Sequence, residues 1–287
     1  MQSSSKGWVY GFLGILIFSG SLPATRVAVF ELDPFFLTAF RAVIASILAL
    51  SALLIFRSSW PKKNDIGSLL VVALGVVVGF PLLTALALEH NTSAQSIVFL
   101  GLLPLCTAIF GVIRGGERPG KLFWTFSIIG SAIVSGYALI SSGTSSTIGN
   151  FYMVLSIIVC GLGYAEGAVL ARRLGNWQVI SWALLLSFPV MLVLTMVTFP
   201  TAITGYEVGT YVSVAYVSFF SMYIGFVFWY RGLSIGGIAT VGQIQLLQPF
   251  FGLVIAALLL QEHVGWLLVV VNIGVVLCVL LAKRYAK

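Results

Sequence analysis

Ten apolar runs of about twenty residues constrain the fold of this chain more than any other feature of its sequence. A helix rises about 1.5 Å per residue, so a run of about twenty residues crosses a hydrocarbon core of about 30 Å. The runs are continuously apolar rather than alternating, which favours helices over barrel strands. The predicted spans are 8–27, 35–56, 66–88, 93–113, 122–140, 151–171, 179–199, 209–230, 238–260 and 265–282. The sequence therefore predicts an all-α integral membrane protein with ten transmembrane helices.

Charged residues are too few for a soluble protein of this length, and their distribution predicts an orientation. Hydrophobic residues make up 60% of the 287 positions and charged residues 8%. If the N-terminus is cytoplasmic, only Arg26 and Arg41 of the 15 lysines and arginines lie towards the outer side. We therefore expect both termini in the cytoplasm and, in a bacterium, an inner-membrane location. The net charge of +7 then reflects orientation and contact with anionic lipid, and we expect no nucleic-acid partner.

A three-residue signature occurs twice at one spacing, which indicates an internal duplication. The two copies, 145 positions apart, are Ala94, Pro104 and Glu117, then Ala239, Pro249 and Glu262. Ten spans divide into five per half, and an odd number makes the second half enter the membrane from the opposite side. We predict two inverted five-helix repeats, residues 1–145 and 146–287. Such folds bind substrate near the middle of the membrane between the halves, with the two prolines as hinges.

The combined pattern resembles a known family of transporters. The segment Leu37-Thr38-Ala39-Phe40-Arg41 opens the second span, and each copy of the signature ends a span of its own half. With the span count, these features resemble the drug/metabolite transporter superfamily, and within it the ten-helix exporters with two EamA-type domains. The chain is most similar there to bacterial exporters of aromatic amino acids. The resemblance implies secondary or facilitated export of small organic metabolites by alternating access, with no enzymatic activity and no cofactor.

Two charged residues inside spans are candidates for substrate binding or coupling, because an ionisable group in lipid costs several kcal/mol unless it is paired or hydrated. Glu166 is predicted either to bind a proton or a substrate amine, or to pair with Arg172 or Arg173. Arg41 is predicted to attract a substrate carboxylate, or else to extend outward to the membrane interface or bond carbonyls of neighbouring helices.

A set of glycines, polar residues and aromatic residues at similar depth predicts a substrate cavity. The predicted lining is Ser19, Gly79, Thr84, Gly101, Gly163, Tyr164, Tyr223, Trp229, Gln245 and Gln248. The alternative for the glycines is close helix packing, and for the glutamines it is hydrogen bonding between helices. Pro249 lacks a backbone donor and so frees the carbonyl of Gln245.

Other kinds of chemistry fit the sequence poorly. Residues 115–121 read Gly-Gly-Glu-Arg-Pro-Gly-Lys, but a phosphate-binding loop needs a hydroxyl at the next position and a soluble strand–helix context. His90 and His263 each follow a glutamate without the spacing of a metal site, so no metal is expected. A channel or, less favoured, a membrane enzyme remains as an alternative function. The expected partners are a small-molecule substrate and the lipid bilayer; the oligomeric state stays open, and a monomer is compatible with the sequence.

Overall fold

Helices and short turns account for the whole described part of the chain. The computed structural model describes residues 2–141, 146–201, 205–260 and 267–285, and these contain no strand. We number the helical segments α1 to α10 in chain order. They are α1 (Gln2–Ser19 and Ser21–Val29), α2 (Pro34–Ile55), α3 (Lys63–Val72, Ala73–Gly79 and Phe80–His90), α4 (Ser93–Ile97, Val98–Leu102 and Leu103–Gly115), α5 (Lys121–Ser141), α6 (Thr147–Leu174), α7 (Asn176–Val197), α8 (Val208–Tyr216, Val217–Ile224 and Gly225–Gly236), α9 (Ile238–Gly242, Gln243–Leu247 and Gln248–Leu260) and α10 (Leu267–Arg284).

Most of these segments are long enough to span a bilayer. Among the described residues, eight are long and apolar enough to cross a membrane, namely all except α5 and α10. The apolar stretches within those two are shorter, Lys121–Ile133 and Ile273–Ala282. The chain is thus an all-helical integral membrane protein, while the count of ten transmembrane helices and the side of the termini stay predictions.

Local sequence explains where individual helices begin and end. The Asp33 carboxylate accepts hydrogen bonds from the backbone N–H groups of Phe35 and Phe36, both at 2.9 Å, and Pro34 occupies the first helical position. These residues supply the acceptor and the preset φ that a helix start needs. Between α6 and α7 the chain turns at one residue, Gly175, whose φ of 98° excludes most side chains.

Four helices change their hydrogen-bonding pattern in mid-segment, and they do so in matching places. Wide π-helical turns interrupt α3 at Ala73–Gly79 and α8 at Val217–Ile224. Tight 3-10 turns interrupt α4 at Val98–Leu102 and α9 at Gln243–Leu247. Each 3-10 turn is followed by α-helix that begins close to one of the signature prolines. Both kinds of irregularity therefore recur at nearly the spacing of the sequence signature.

The packing of the helices is reciprocal between the two halves. Helix α1 packs on α8 and α9, just as α6 packs on α3 and α4, while α2 pairs with α7 and α5 with α10. Glycines permit the closest approaches: a Cβ atom at Gly75 of α3 would lie 2.7 Å from the carbonyl oxygen of Val159 and 3.0 Å from Cα of Gly163 in α6. Gly163 therefore contributes to the close packing of α6 on α3. Close packing was the alternative role that the sequence predicted for the glycines.

Candidate functional site

A cavity lies in the interior where α1, α2, α3, α6, α8 and α9 meet. It contains about 310 Å³ of space between atoms, its open mouth included, and in this conformation it has room for about one water molecule. Its lining residues are Phe18, Ser21, Arg41, Val76, Phe80, Pro81, Tyr164, Ser221, Met222, Phe226 and Gln248. Helices of both halves therefore contribute to one site.

The irregular helix turns position much of this lining. Val76 belongs to the π-helical turn of α3, and Ser221 and Met222 belong to that of α8. Gln248 follows directly on the 3-10 turn of α9. Because a π-helical or 3-10 turn rotates the following side chains away from regular helical positions, such turns often occur at functional sites.

One wall of the cavity is a hydrogen-bonded set of polar side chains from three helices. The hydroxyl oxygens of Ser21 in α1 and Ser221 in α8 lie 2.7 Å apart. Arg41 of α2 donates from Nη2 to the Ser221 hydroxyl oxygen at 3.2 Å, while its Nε has no hydrogen-bond partner. The guanidinium is thereby held at the cavity, and its Nε–H group remains available to donate a hydrogen bond to a ligand.

Arg41 is buried and lacks a counter-charge among the residues that the structure describes. Only 5% of the residue is exposed, and every ion pair found in the described ranges involves other residues. Arg41 does not extend outward to the membrane interface, because its side chain bonds to Ser221 of a neighbouring helix. Its role in binding a substrate carboxylate stays a prediction. A buried cation left unpaired costs several kcal/mol, so an anionic ligand would be strongly favoured here.

The lining also contains a cluster of aromatic rings. The rings of Phe18 and Phe226 meet edge to face with centroids 5.0 Å apart, and Tyr164 lies 6.3 Å from Phe18 and 5.9 Å from Phe226. Phe80 also belongs to the lining. Aromatic surfaces favour an apolar or aromatic group, so the cavity offers a cation together with apolar surface.

Of the residues predicted to line the cavity, Tyr164 and Gln248 do so, together with Arg41 from the charged candidates. Gln248 is only 3% exposed, and its Oε1 has no hydrogen-bond partner in the described part of the chain. Trp229 is fully buried directly behind this lining, where its ring lies 5.3 Å from that of Tyr164.

The other predicted polar residues are bonded elsewhere and are absent from the lining. Ser19 and Thr84 donate to carbonyls of their own helices, those of Ile15 and Phe80 respectively. The hydroxyl of Tyr223 pairs with that of Ser181 in α7 at 2.9 Å.

The remaining predicted cavity residues lie in helix packing or between helices. Gln245 donates to the hydroxyl of Thr107 at 3.2 Å, which is the interhelical bond that its alternative reading predicted. A Cβ atom at Gly79 would lie 3.1 Å from Val159, and Gly101 is buried in the 3-10 turn of α4. The hinge role of Pro104 and Pro249 stays a prediction.

Glu166 pairs with a residue that sequence reasoning did not consider. Its Oε2 accepts from Nε of Arg114 at 2.6 Å, whereas Arg172 pairs with Glu117 and Arg173 with Asp65. Asp65 is a second buried acid, 2% exposed, although its place in the polar first turn of α3 favours an exposed residue. The direct partner of Glu166 is thus Arg114, while Arg173, one of the two predicted partners, interacts with it through charge at longer range.

These three ion pairs lie together at one end of the bundle, which we call the charged end. Each pair joins α6 of the second half to the first half, through α3, α4 or the turn after α4. The charged end is therefore a contact between the halves.

Glu117 adds a further contact at the charged end. Gly116, in the left-handed region with φ 65°, ends α4 and turns the chain so that Glu117 meets the start of α9. The Glu117 carboxylate accepts from the backbone N–H groups of Ile238 at 2.6 Å and Ala239 at 2.7 Å. The glutamate of the first signature copy thus caps the helix that carries the alanine of the second. Glu262, its counterpart, lies outside the described residues.

Several lining residues gave no signal in the sequence. Ser221, Met222 and Phe226 belong to residue types that are common in membrane helices; the first two lie in the π-helical turn Val217–Ile224, and Phe226 lies in the regular helix that follows it. The π-helical turns of α3 and α8 are visible only in the structure.

Comparison with known proteins places these observations in a family. A model described as the EamA-like transporter family matches residues 5–142 and again residues 147–283. An uncharacterized transporter, YdeK of Bacillus subtilis (strain 168), is 64% identical over 287 residues, the full length of both chains. An uncharacterized transporter of Archaeoglobus fulgidus is 23% identical, covering 90% of this chain and 91% of that one.

A solved structure shares the fold. It superposes with a TM-score of 0.78 at 17% identity, covers 96% of this chain and 98% of its own, and is titled only "Crystal structure of protein". None of these names specifies a substrate, so the expected similarity to exporters of aromatic amino acids finds no support in them.

Proposed function

Since the chain belongs to the EamA-like transporter family, we propose that it is a secondary or facilitative exporter of small organic metabolites that carry a carboxylate. Amino acids with large apolar or aromatic side chains are the best candidates. The mechanism is alternating access to the cavity between the two halves.

The unpaired cation Arg41 is the observation that carries this proposal. It is buried at the cavity, hydrogen bonded to a neutral serine, and without an acidic partner in the described ranges. A substrate carboxylate can accept two parallel hydrogen bonds from a guanidinium, and this geometry distinguishes arginine from lysine. The aromatic cluster formed by Phe18, Tyr164 and Phe226 accommodates the apolar part of such a substrate.

In this proposal, the two inverted repeats move relative to each other and so open the cavity to one side of the membrane at a time. The reciprocal packing of α1 with α8 and of α6 with α3, and the matching irregular turns, support two equivalent halves that rock against each other. The excess of lysine and arginine in the predicted inner loops supports cytoplasmic termini in a bacterial inner membrane. Substrate would then enter from the cytoplasm and leave outside.

Counterflow in proteoliposomes tests the proposal. Purified protein is reconstituted with unlabelled phenylalanine inside, and uptake of labelled phenylalanine is measured against a panel of competing metabolites. We expect saturable uptake that is accelerated by internal substrate, which a carrier shows and a channel does not. Arg41→Met should reduce uptake of carboxylate-bearing substrates at least tenfold, because it removes the charge while keeping similar volume.

A matched control separates the role of Arg41 from general damage. Arg57→Met removes an exposed arginine beyond the end of the same helix and should leave uptake unchanged. Competition by amines or sugars rather than by carboxylates would overturn the assignment of the substrate class.

A further inference from the structure

We propose that Gln248 determines specificity by accepting a hydrogen bond from an ammonium group of the substrate, so that the cavity prefers zwitterions to simple carboxylates. The inference rests on the proposed function, because it assumes a carboxylate held by Arg41. Arg41 cannot accept a hydrogen bond from the ammonium group, because a guanidinium only donates hydrogen bonds. Gln248 supplies the acceptor that Arg41 lacks.

The state of the Gln248 side chain supports this role. The residue lines the cavity and is 3% exposed, yet its Oε1 has no hydrogen-bond partner among the described residues. An acceptor buried without a partner costs about 1–3 kcal/mol, so such groups are usually satisfied by a ligand or water. A substrate donor at this position removes that cost.

The charges around the cavity indicate which donor fits. The only charged residue among the lining residues is Arg41, and an ammonium group placed beside Gln248 meets an amide rather than a carboxylate. A neutral acceptor holds an ammonium group without neutralising it, and the substrate's own carboxylate balances that charge. The arrangement suits a neutral zwitterion and disfavours amines that lack a carboxylate, because these would bring a second positive charge beside Arg41.

Gln248 also has a distinct place in its helix. It stands between the 3-10 turn Gln243–Leu247 and Pro249, and the residue before a proline has restricted backbone dihedrals. Two other glutamines precede it in α9, but Gln245 is bonded to Thr107, and neither Gln245 nor Gln243 is among the lining residues. The amide acceptor available to a ligand therefore comes from Gln248.

The test compares two substrates that differ only in the amino group. Binding of L-phenylalanine and of 3-phenylpropionate to the purified full-length protein is measured by titration calorimetry, and both are used as competitors in counterflow. The wild-type protein should prefer phenylalanine by roughly tenfold to a hundredfold, the range expected for a hydrogen bond to a charged group. Gln248→Met, which keeps the volume and removes the amide, should bind the two ligands with affinities within about threefold of each other.

Gln243→Met provides the matched control, since it makes the same change in the same helix at a buried residue outside the lining. It should retain the preference for phenylalanine. Melting temperatures and size-exclusion profiles of both variants establish that they are folded, and binding of 3-phenylpropionate by Gln248→Met shows that its site is intact.

The outcomes separate this inference from the proposed function. If the wild-type protein binds neither ligand, and no carboxylate competes in counterflow, the carboxylate assignment itself fails. If both ligands bind equally to the wild-type protein, or if Gln248→Met keeps the preference for phenylalanine, the assignment of Gln248 fails while the role of Arg41 stands.

Discussion

At the scale of single residues, Gly167 shows how the absence of a side chain shapes the interior. A Cβ atom there would overlap the ring of Tyr230, whose hydroxyl donates to the carbonyl oxygen of Gly163 at 3.2 Å. Gly167→Ala should therefore lower the free energy of unfolding by about 1–3 kcal/mol, the usual cost of overpacking. Thermal unfolding in detergent measures the effect.

Gly67 is the matched control for this prediction. It lies in the first turns of α3 with nothing within 4 Å of a Cβ atom, so alanine can improve helix propensity without a clash. Gly67→Ala should leave the melting temperature unchanged or raise it. Equal destabilisation by both substitutions would contradict the packing argument.

The pairing of Glu166 predicts a structural role for this acid. It is bonded to Arg114, so Glu166→Gln should lower stability modestly, by about 1 kcal/mol, since the half-exposed arginine is screened by solvent. We expect any dependence of transport on a pH gradient to be unchanged in this variant. Counterflow measured with and without a pH gradient tests this.

Asp65→Asn is the comparison for Glu166→Gln, because Asp65 forms an equivalent pair with Arg173 at the charged end. Both variants should behave alike. If pH dependence disappears only in Glu166→Gln, the protonation alternative for Glu166 is correct instead.

At the scale of elements, the contact between Glu117 and the start of α9 joins the turn after α4 to the other half. The carboxylate accepts two backbone N–H bonds and one from Arg172 at 3.3 Å. Gly237, which precedes α9, has no side chain to cap it, so Glu117 supplies both the acceptor and the negative charge favoured at a helix start. Removing the carboxylate would leave the first N–H groups of α9 without that partner.

We therefore expect Glu117→Ala to destabilise the protein by about 1–2 kcal/mol, as the loss of a helix cap does. Glu117→Gln should be intermediate, because its amide keeps one acceptor oxygen but no charge. Thermal unfolding of the two variants checks this order, and a Glu117→Ala protein as stable as the wild type would contradict the capping role.

At the scale of the whole molecule, the predicted topology places alternate connections on opposite sides of the membrane. Ser59, between α2 and α3, should face the cytoplasm, and Thr201, between α7 and α8, should face outward; both are exposed. Single cysteines at these positions in a cysteine-free background are treated in intact cells with a membrane-impermeant maleimide. We expect labelling at Thr201→Cys and, only after permeabilisation, at Ser59→Cys; the reverse result would invert the topology.

The membrane class, the helical composition and the family follow from the amino-acid sequence, because they depend on local properties that can be counted along the chain. Apolar run length specifies a membrane helix, and the spacing of Ala94, Pro104 and Glu117 indicated a duplication before any contact was known. Arg41 and Glu166 were also recognisable as costly charges within apolar spans.

The contacts of those residues, in contrast, depend on how the helices pack. Arg41 meets Ser221, 180 positions away, and Glu166 meets Arg114 on another helix. The direction of a side chain in a helix bundle depends on irregular turns such as Val217–Ile224 and on which helices pack together, and neither follows from hydropathy. For that reason Gln248 faces the cavity while Gln245, three residues earlier, bonds to a neighbouring helix.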